Sequence, residues 1–276
     1  MHTDDEQVGR VLNRRHALAL LGLAGVAATT AAGTGIASAG SAGTGGTART
    51  AGVVDCVAKP EMTEGPYFLD EVLNRSDIRI EPSDGSVVAG TPLRLNLTVT
   101  QITNGRCTPL PGATVDIWQC DALGVYSGIE QQDTVGKQFL RGYQVSNRAG
   151  RAVFTTILPG WYQGRTVHIH VKIQTTGTDG NAYEFTSQLY LPEAFTAAYL
   201  ATEPYASKGT PDTTNSTDMH YADIGDQMLL NPTRQGPGYA ANFGIALDLS
   251  DTAVGADDSF QMPGGGTPPE GTPPPA

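Results

Sequence analysis

Val167-His168-Ile169-His170-Val171-Lys172-Ile173 alternates an apolar residue with a polar one at every step. A period of two marks a β-strand whose two faces meet different surroundings. Val167, Ile169, Val171 and Ile173 share a core face. His168 and His170 share the other, about 7 Å apart at the backbone by strand rise. The alternation continues over 166–174, and Thr178-Asp179-Gly180-Asn181 then turns the chain into a returning strand over 183–191. Upstream, Leu93, Leu95, Leu97 and Val99 alternate with Arg94, Asn96 and Thr98, a half-buried strand that Asn104-Gly105 ends. Ala113, Val115 and Ile117 alternate in the next run. Strands over 139–145 and 151–157 flank Asn147-Arg148-Ala149-Gly150, which reads as a hairpin loop. A last strand covers 243–249. One short helix is expected at about 193–202, after Pro192. Repeated short strands at this spacing predict an all-β fold: an antiparallel β-sandwich core with long loops and one or two short helices.

The composition agrees. Charged residues are 16% of the 276, and the 34 Gly and 18 Pro favour many short elements joined by turns. The ends read differently from the middle. Asn13-Arg14-Arg15-His16 precedes an Ala/Leu/Gly stretch, and Ala37-Ser38-Ala39 offers small residues to a peptidase. Residues 1–39 are read as a twin-arginine-type signal peptide, a route that carries folded proteins. Residues 40–52 are a Gly/Ala/Thr/Ser linker, residues 53–252 the sandwich domain, and residues 253–276 a Gly/Pro-rich tail that has no core to join. The expected location is therefore outside the cytoplasm, either secreted or associated with the cell surface. The membrane enters only for export.

The formal net charge is −11. Asp4, Asp5 and Glu6 cancel Arg10, Arg14 and Arg15, so removal of residues 1–39 leaves it unchanged. Nucleic acid is excluded as a partner on that ground. Three cysteines are present, and their spacing fits no zinc motif. Export permits a disulfide; Cys56 with Cys107 is the expected pair, which leaves Cys120 as a free thiol in a strand.

His168 and His170 can converge on one metal ion or can simply be a solvated polar face. His2 and His16 lie in the leader, so His220 is the other candidate imidazole. No HExxH motif is present, and no carboxylate stands at a recognisable ligand spacing from the pair. Tyr162 lies close by, in Pro159-Gly160-Trp161-Tyr162-Gln163-Gly164-Arg165, and Tyr126 follows a strand and a Gly-containing turn in the run 115–127. A phenolate is a hard anionic oxygen donor. It suits Fe(III) better than Zn(II) or Fe(II), and two phenolates would balance a ferric charge beside two neutral imidazoles.

These stretches resemble the intradiol ring-cleavage dioxygenases, the family of catechol and protocatechuate dioxygenases. The likeness runs from Thr63-Glu64-Gly65-Pro66-Tyr67-Phe68 to about Pro192. Its most specific parts are the run 115–127, Phe139-Leu140-Arg141-Gly142, and the run 156–162 continuing into Arg165 and His168-Ile169-His170. The resemblance implies one non-haem Fe(III) ion held by Tyr126, Tyr162, His168 and His170. It implies O₂-dependent cleavage of a catechol ring between its hydroxylated carbons, giving a muconate-type diacid. Tyr162 would be the ligand that gives way and acts as a base. Arg165 would stabilise negative charge on the bound substrate, and Gln188 would line the pocket. Gln188 reaches the histidine face only if the turn near Asp179-Gly180 has three residues; with two it would face the Val171 side. The expected partners are a small aromatic diol and O₂, and export suggests a catechol or larger phenol met outside the cytoplasm. Soluble catechol dioxygenases dimerise through a helical N-terminal segment that has no counterpart here, so no oligomeric state follows. Two other readings remain at this level: an exported sandwich module that binds without catalysis, and a different metalloenzyme such as a zinc hydrolase.

Overall fold

The computed structural model describes residues 56–251. The signal, the linker and the tail expected at 1–39, 40–52 and 253–276 lie outside the described residues. Nine strands form two sheets. They are β1 (Pro92–Thr103), β2 (Arg106–Pro109), β3 (Thr114–Trp118), β4 (Arg141–Val145), β5 (Arg151–Ile157), β6 (His168–Thr176), β7 (Ala182–Tyr190), β8 (Thr233–Gln235) and β9 (Gly238–Leu247). Two short helices join them: α1 (Glu193–Leu200), opened by Pro192 as expected, and α2 (Tyr221–Ile224). In the first sheet β1 is central. It pairs with β9 on one side and with β5 and β2 in succession on the other, and β8 lies beyond β9. The second sheet runs β4-β3-β6-β7. Among the described residues no helix is long and apolar enough to cross a membrane.

The alternation read from the sequence sets the core. Leu93, Leu95, Leu97 and Val99 of β1 are fully buried and share one face with Phe154 and Ala152 of β5. Across the sandwich they meet Val115 and Ile117 of β3, Ile169, Val171 and Ile173 of β6, and Phe185 and Leu189 of β7. At about 25 cal/mol per Å² of apolar surface removed from water, this cluster is the main source of stability. Gln119 and Thr156 are buried without loss. Gln119 Nε2 donates to Ile157 O at 3.0 Å, and Thr156 Oγ1 donates to Gln119 Oε1 at 3.0 Å.

Two expectations about pairing are corrected. The strands flanking residues 147–150 do not form a hairpin, because β4 belongs to one sheet and β5 to the other. The segment 73–78 takes the hydrogen bonds a hairpin would have used. Tyr143 N donates to Leu73 O and Arg75 N to Tyr143 O, while Thr155 N donates to Ser76 O and Ile78 N to Thr155 O. The sandwich is also not wholly antiparallel: β1 and β9 run parallel over nine residue pairs, from Leu93↔Tyr239 to Gln101↔Leu247. The chain makes this pair by returning to β1 after all the other strands are laid down, a crossover that residue periodicity does not encode.

Cys56 is bonded to Cys107, and Cys120 is a buried free thiol. The bond ties the start of the described chain to β2. From there the segment 60–68 runs across the outer face of the second sheet.

Candidate metal centre

β6 is buried on both faces through its first six residues. One face is the core. The other lies under a cover supplied by loops, so a strand end that reads as half-polar is enclosed. Cross-strand pairing fixes what shares that outer face: Trp118 of β3 stands opposite His170, which stands opposite Gln188 of β7, while His168 pairs with Tyr190. The β6–β7 ladder closes through Gly177 N donating to Asn181 O at 2.8 Å, which leaves Thr178, Asp179 and Gly180 as the turn. That is the three-residue turn, and it puts Gln188 on the histidine face.

The two tyrosines arrive from separate loops. Asp121 Oδ1 accepts from Leu123 N at 2.8 Å and Val125 N at 2.9 Å, folding the turn that delivers Tyr126. Thr134 Oγ1 donates to Tyr126 O at 2.6 Å. Tyr162 follows Gly160, whose N–H donates to Asp121 O at 2.9 Å. A Cβ at Gly160 would stand 2.4 Å from Ala122 O and 2.5 Å from Asp121 O, so only glycine lets the two loops touch.

The four side chains meet. Tyr162 Oη is 3.2 Å from His168 Nε2, and His168 Nε2 is 3.1 Å from His170 Nε2. The ring centres of Tyr126 and Tyr162 are 5.6 Å apart, and those of Tyr126 and His170 are 6.3 Å apart. Tyr126, His168 and His170 are at most 2% exposed; Tyr162 is half-buried. His168 Nδ1 lies 2.7 Å from Thr166 O and donates to it, leaving a bare lone pair on Nε2. His170 has no such brace. Its Nδ1 is a buried atom without a hydrogen-bond partner, and Trp118 lies flat on its ring at 4.7 Å and 8°. Tyr126 Oη is likewise buried and makes no hydrogen bond.

The surroundings hold all four groups neutral. Burial, with Arg165 adding to it, takes His168 down to about 3. Burial and then the neighbouring His168 take His170 well below the usual imidazole range. Burial drives both phenols up; Tyr162 adds to the effect on Tyr126, and Arg165 works against it on Tyr162. Two lone-pair nitrogens and two buried phenols therefore face one another without a charge to satisfy them. A cation would supply it. Two imidazole nitrogens each roughly 2.1 Å from one ion, at right angles, stand roughly 3 Å apart, and the observed 3.1 Å matches. Among the described residues no three of His, Cys, Asp and Glu come together as a metal site, so His220 does not join the pair. The other donors are phenols, and that set fits a ferric ion.

A cover and a wall complete the site. Tyr67 stacks on Tyr126 at 4.4 Å and meets Tyr162 edge-on at 5.8 Å, while Phe68 packs on Trp118 at 4.9 Å. Arg141 Nη1 donates to Tyr67 O at 2.6 Å and Arg141 Nε to Ser127 Oγ at 3.0 Å, which ties the cover to the Tyr126 loop. Lys172, on the histidine face, is ion-paired with Glu64 and Glu184. On the wall, Arg165 is 6% exposed. It donates through Nη2 to Gln188 Oε1 and through Nε to Asp218 Oδ2 at 2.8 Å. Sequence reading did not find Tyr67, Arg141 or Asp218 as site residues. The run 63–68 carried a signal for Tyr67; Asp218, in a Thr/Asp-rich loop, carried none.

Comparison with known proteins points the same way. The family model described as Dioxygenase matches residues 63–194. The structure is similar to an intradiol ring-cleavage dioxygenase from Tetranychus urticae, 30% identical, with a TM-score of 0.61 over 70% of this chain and 96% of that one. It is similar also to the dioxygenase domain of a dioxygenase carbohydrate-binding protein fusion from Streptomyces sp. SirexAA-E, 32% identical, with a TM-score of 0.50 over 70% of this chain and 99% of that one. Catechol 1,2-dioxygenase from Candida albicans is 32% identical over 101 residues, 36% of this chain; the match spans 31% of that protein's length. Sandwich, histidine strand and tyrosine loops thus occur together in a chain that covers 96% of the Tetranychus urticae enzyme at 30% identity, and it belongs to the intradiol ring-cleavage dioxygenases.

Proposed function

We propose that the protein is a non-haem Fe(III) dioxygenase that inserts both atoms of O₂ into a catechol-type ring, cleaving it between the hydroxylated carbons to a muconate-type diacid. The observation that carries this reading is the meeting of two neutral imidazoles with two buried, charge-seeking phenols. Tyr126, Tyr162, His168 and His170 would hold one ferric ion. The chemistry it lends when bound is that of a Lewis acid which makes a catecholate reactive toward O₂.

The chain's own groups divide the remaining tasks. Tyr162 is the less enclosed of the two phenols, so its Oη, as the phenolate that a ferric ion would hold, is the one placed to take a proton from an incoming catechol. Tyr126, fully enclosed under Tyr67, stays where it is. Arg165 offers a buried positive charge to the dianionic substrate and to negative charge that develops on the ring. Gln188 holds that guanidinium through Nη2. Tyr67 and Phe68 exclude water from the reacting face. We place this activity outside the cytoplasm, on the strength of the leader at 1–39, with a small aromatic diol and O₂ as partners.

The test is a visible absorption spectrum of the ferric protein, with and without catechol under anaerobic conditions. A tyrosinate-to-iron charge-transfer band that shifts with catechol and loses most of its intensity in Tyr126→Phe is the expected result. A protein that stays colourless after ferric reconstitution would overturn the proposal and favour a non-catalytic module on the same sandwich.

A further inference from the structure

We propose that Asp218 is a positioning residue for the reaction: it fixes the Nε edge of Arg165 so that the opposite edge of the guanidinium is presented to the bound catecholate. The inference rests on the ring-cleavage reading above.

Asp218 lies in the loop before α2, far along the chain from β6, yet its side chain has no solvent exposure. A buried carboxylate costs several kcal/mol unless its oxygens are fully used. Here they are. Oδ2 accepts from Arg165 Nε at 2.8 Å and from Thr166 N at 2.8 Å. Oδ1 accepts from His220 N at 2.8 Å and from Tyr221 N at 3.1 Å. The loop is pinned a second time where Thr166 Oγ1 donates to Asn215 Oδ1 at 2.7 Å and Asn215 Nδ2 to Leu191 O at 3.0 Å.

Arg165 is consequently held at two points in the plane of its guanidinium. Nε meets Asp218, and Nη2 meets Gln188 Oε1. Gln188 is itself locked, since Tyr190 Oη donates to the same Oε1 at 2.9 Å and Gln188 Nε2 donates to Thr63 O at 3.1 Å. Two fixed points in one plane leave the group no rotation. Asp218 takes Nε and Gln188 takes Nη2, so Nη1 is the nitrogen these two braces leave for a ligand. Arg165 stands close enough to the four side chains that its charge bears on Tyr162 and His168, and less on Tyr126 and His170. The arrangement also assigns Gln188 a bracing part, since its oxygen is shared by Arg165 and Tyr190 and its nitrogen is tied to the cover. A charge that must meet a developing negative charge is worth most when its orientation is set beforehand.

The experiment is a double-mutant cycle on the full chain, with Asp218→Asn, Arg165→Ala and the pair, each loaded with ferric iron. Asp218→Asn keeps the volume and the acceptor for His220 N and Tyr221 N, but sets an amide NH2 where Oδ2 accepted from Arg165 Nε and Thr166 N. Three quantities are read: the charge-transfer band of the ferric protein, the anaerobic dissociation constant for catechol, and kcat/KM with catechol. Asp218→Asn is expected to leave the band unchanged, raise the dissociation constant about tenfold and lower kcat/KM by about tenfold or more. In the Arg165→Ala background it is expected to change neither by more than about twofold. A loss of equal size in both backgrounds would mean that Asp218 acts through the loop alone, and would overturn the inference while leaving the dioxygenase reading intact. So would a wild-type result for Asp218→Asn. A colourless parent protein would overturn both. If Asp218→Asn does not fold, Asp218→Glu replaces it: one added methylene displaces the carboxylate, and its effect must again vanish without Arg165.

Discussion

Asp116 sits on the outer face of β3, two residues before the tryptophan that lies on His170, and its cross-strand partner is Lys172. Burial first, and Asp70 second, raise its carboxyl to about 7. An unfolded aspartate titrates near 3.9, so between about pH 4 and pH 7 the native state binds the extra proton and stability falls as pH rises. Asp116→Asn cannot ionise. It should match the parent near pH 4.5 and exceed it by about 1–2 kcal/mol at pH 8, the full shift being discounted for partial solvation. Urea midpoints at the two pH values decide it, and an equal gain at both would show the effect is not ionisation. His168 and His170 make a second contrast. His168 is braced by Thr166 O, whereas His170 rests on the face of Trp118. After ferric reconstitution, Trp118→Leu should therefore give up the metal to a chelator about tenfold more readily than the parent, and Trp118→Phe, which keeps a flat face, only slightly more readily; equal retention in all three would remove the stacking argument. At this scale the sequence was readable where period and residue type suffice, as for His168, His170 and the core face of β6. Tyr126 and Tyr162 became legible through their surrounding motifs. Asp218 was not, because its partner Arg165 is 53 residues away and nothing local to a Thr/Asp-rich loop announces a buried carboxylate.

The strands show where local reading ends. β5 has the bounds that alternation predicts, 151–157, and β1, β6, β7 and α1 lie where they were expected, within a few residues at their ends. Asn147-Arg148-Ala149-Gly150 does form a turn, with Gly150 N donating to Asn147 O at 2.8 Å. A turn signal says that the chain bends; it does not say which edge the next strand will find. Here the segment 73–78 occupies both inner edges first, and β5 goes to the other sheet. The β6–β7 turn was the opposite case, since its length alone decides which face Gln188 takes. Contact between the Tyr126 and Tyr162 loops depends on Gly160. Gly160→Ala should cost about 2–3 kcal/mol from overpacking against two carbonyls. It should also weaken the charge-transfer band, because relief of the clash separates the two tyrosines. A destabilised protein with an unaltered band would show that the loops do not set the tyrosine spacing.

Across the whole molecule the Cys56–Cys107 bond closes a sequence separation of 51 residues. Loop closure of that length is worth about 4 kcal/mol by chain entropy. Replacing both cysteines by serine should lower stability by about 2–4 kcal/mol in guanidinium unfolding, and should loosen the segment 60–68 that covers the site. A change under about 0.5 kcal/mol would mean that the unfolded chain is already compact across this span. The fold class was legible from composition and strand spacing because an all-β sandwich imposes both. The parallel pairing of β1 with β9 was not, since it joins the chain's most distant strands.

β6, buried on both faces, divides two kinds of surroundings. Its Val and Ile side chains belong to the interior, its His and Lys side chains to the outer chamber, and no residue serves both. The chamber is roofed and walled by segments 63–68 and 212–220, none of whose residues belongs to the interior cluster. Inherited change can therefore fall on the two functions separately. Substitutions in those segments should change ligand preference and leave melting temperature nearly where it was, whereas drift inside the sandwich should alter melting temperature and spare that preference.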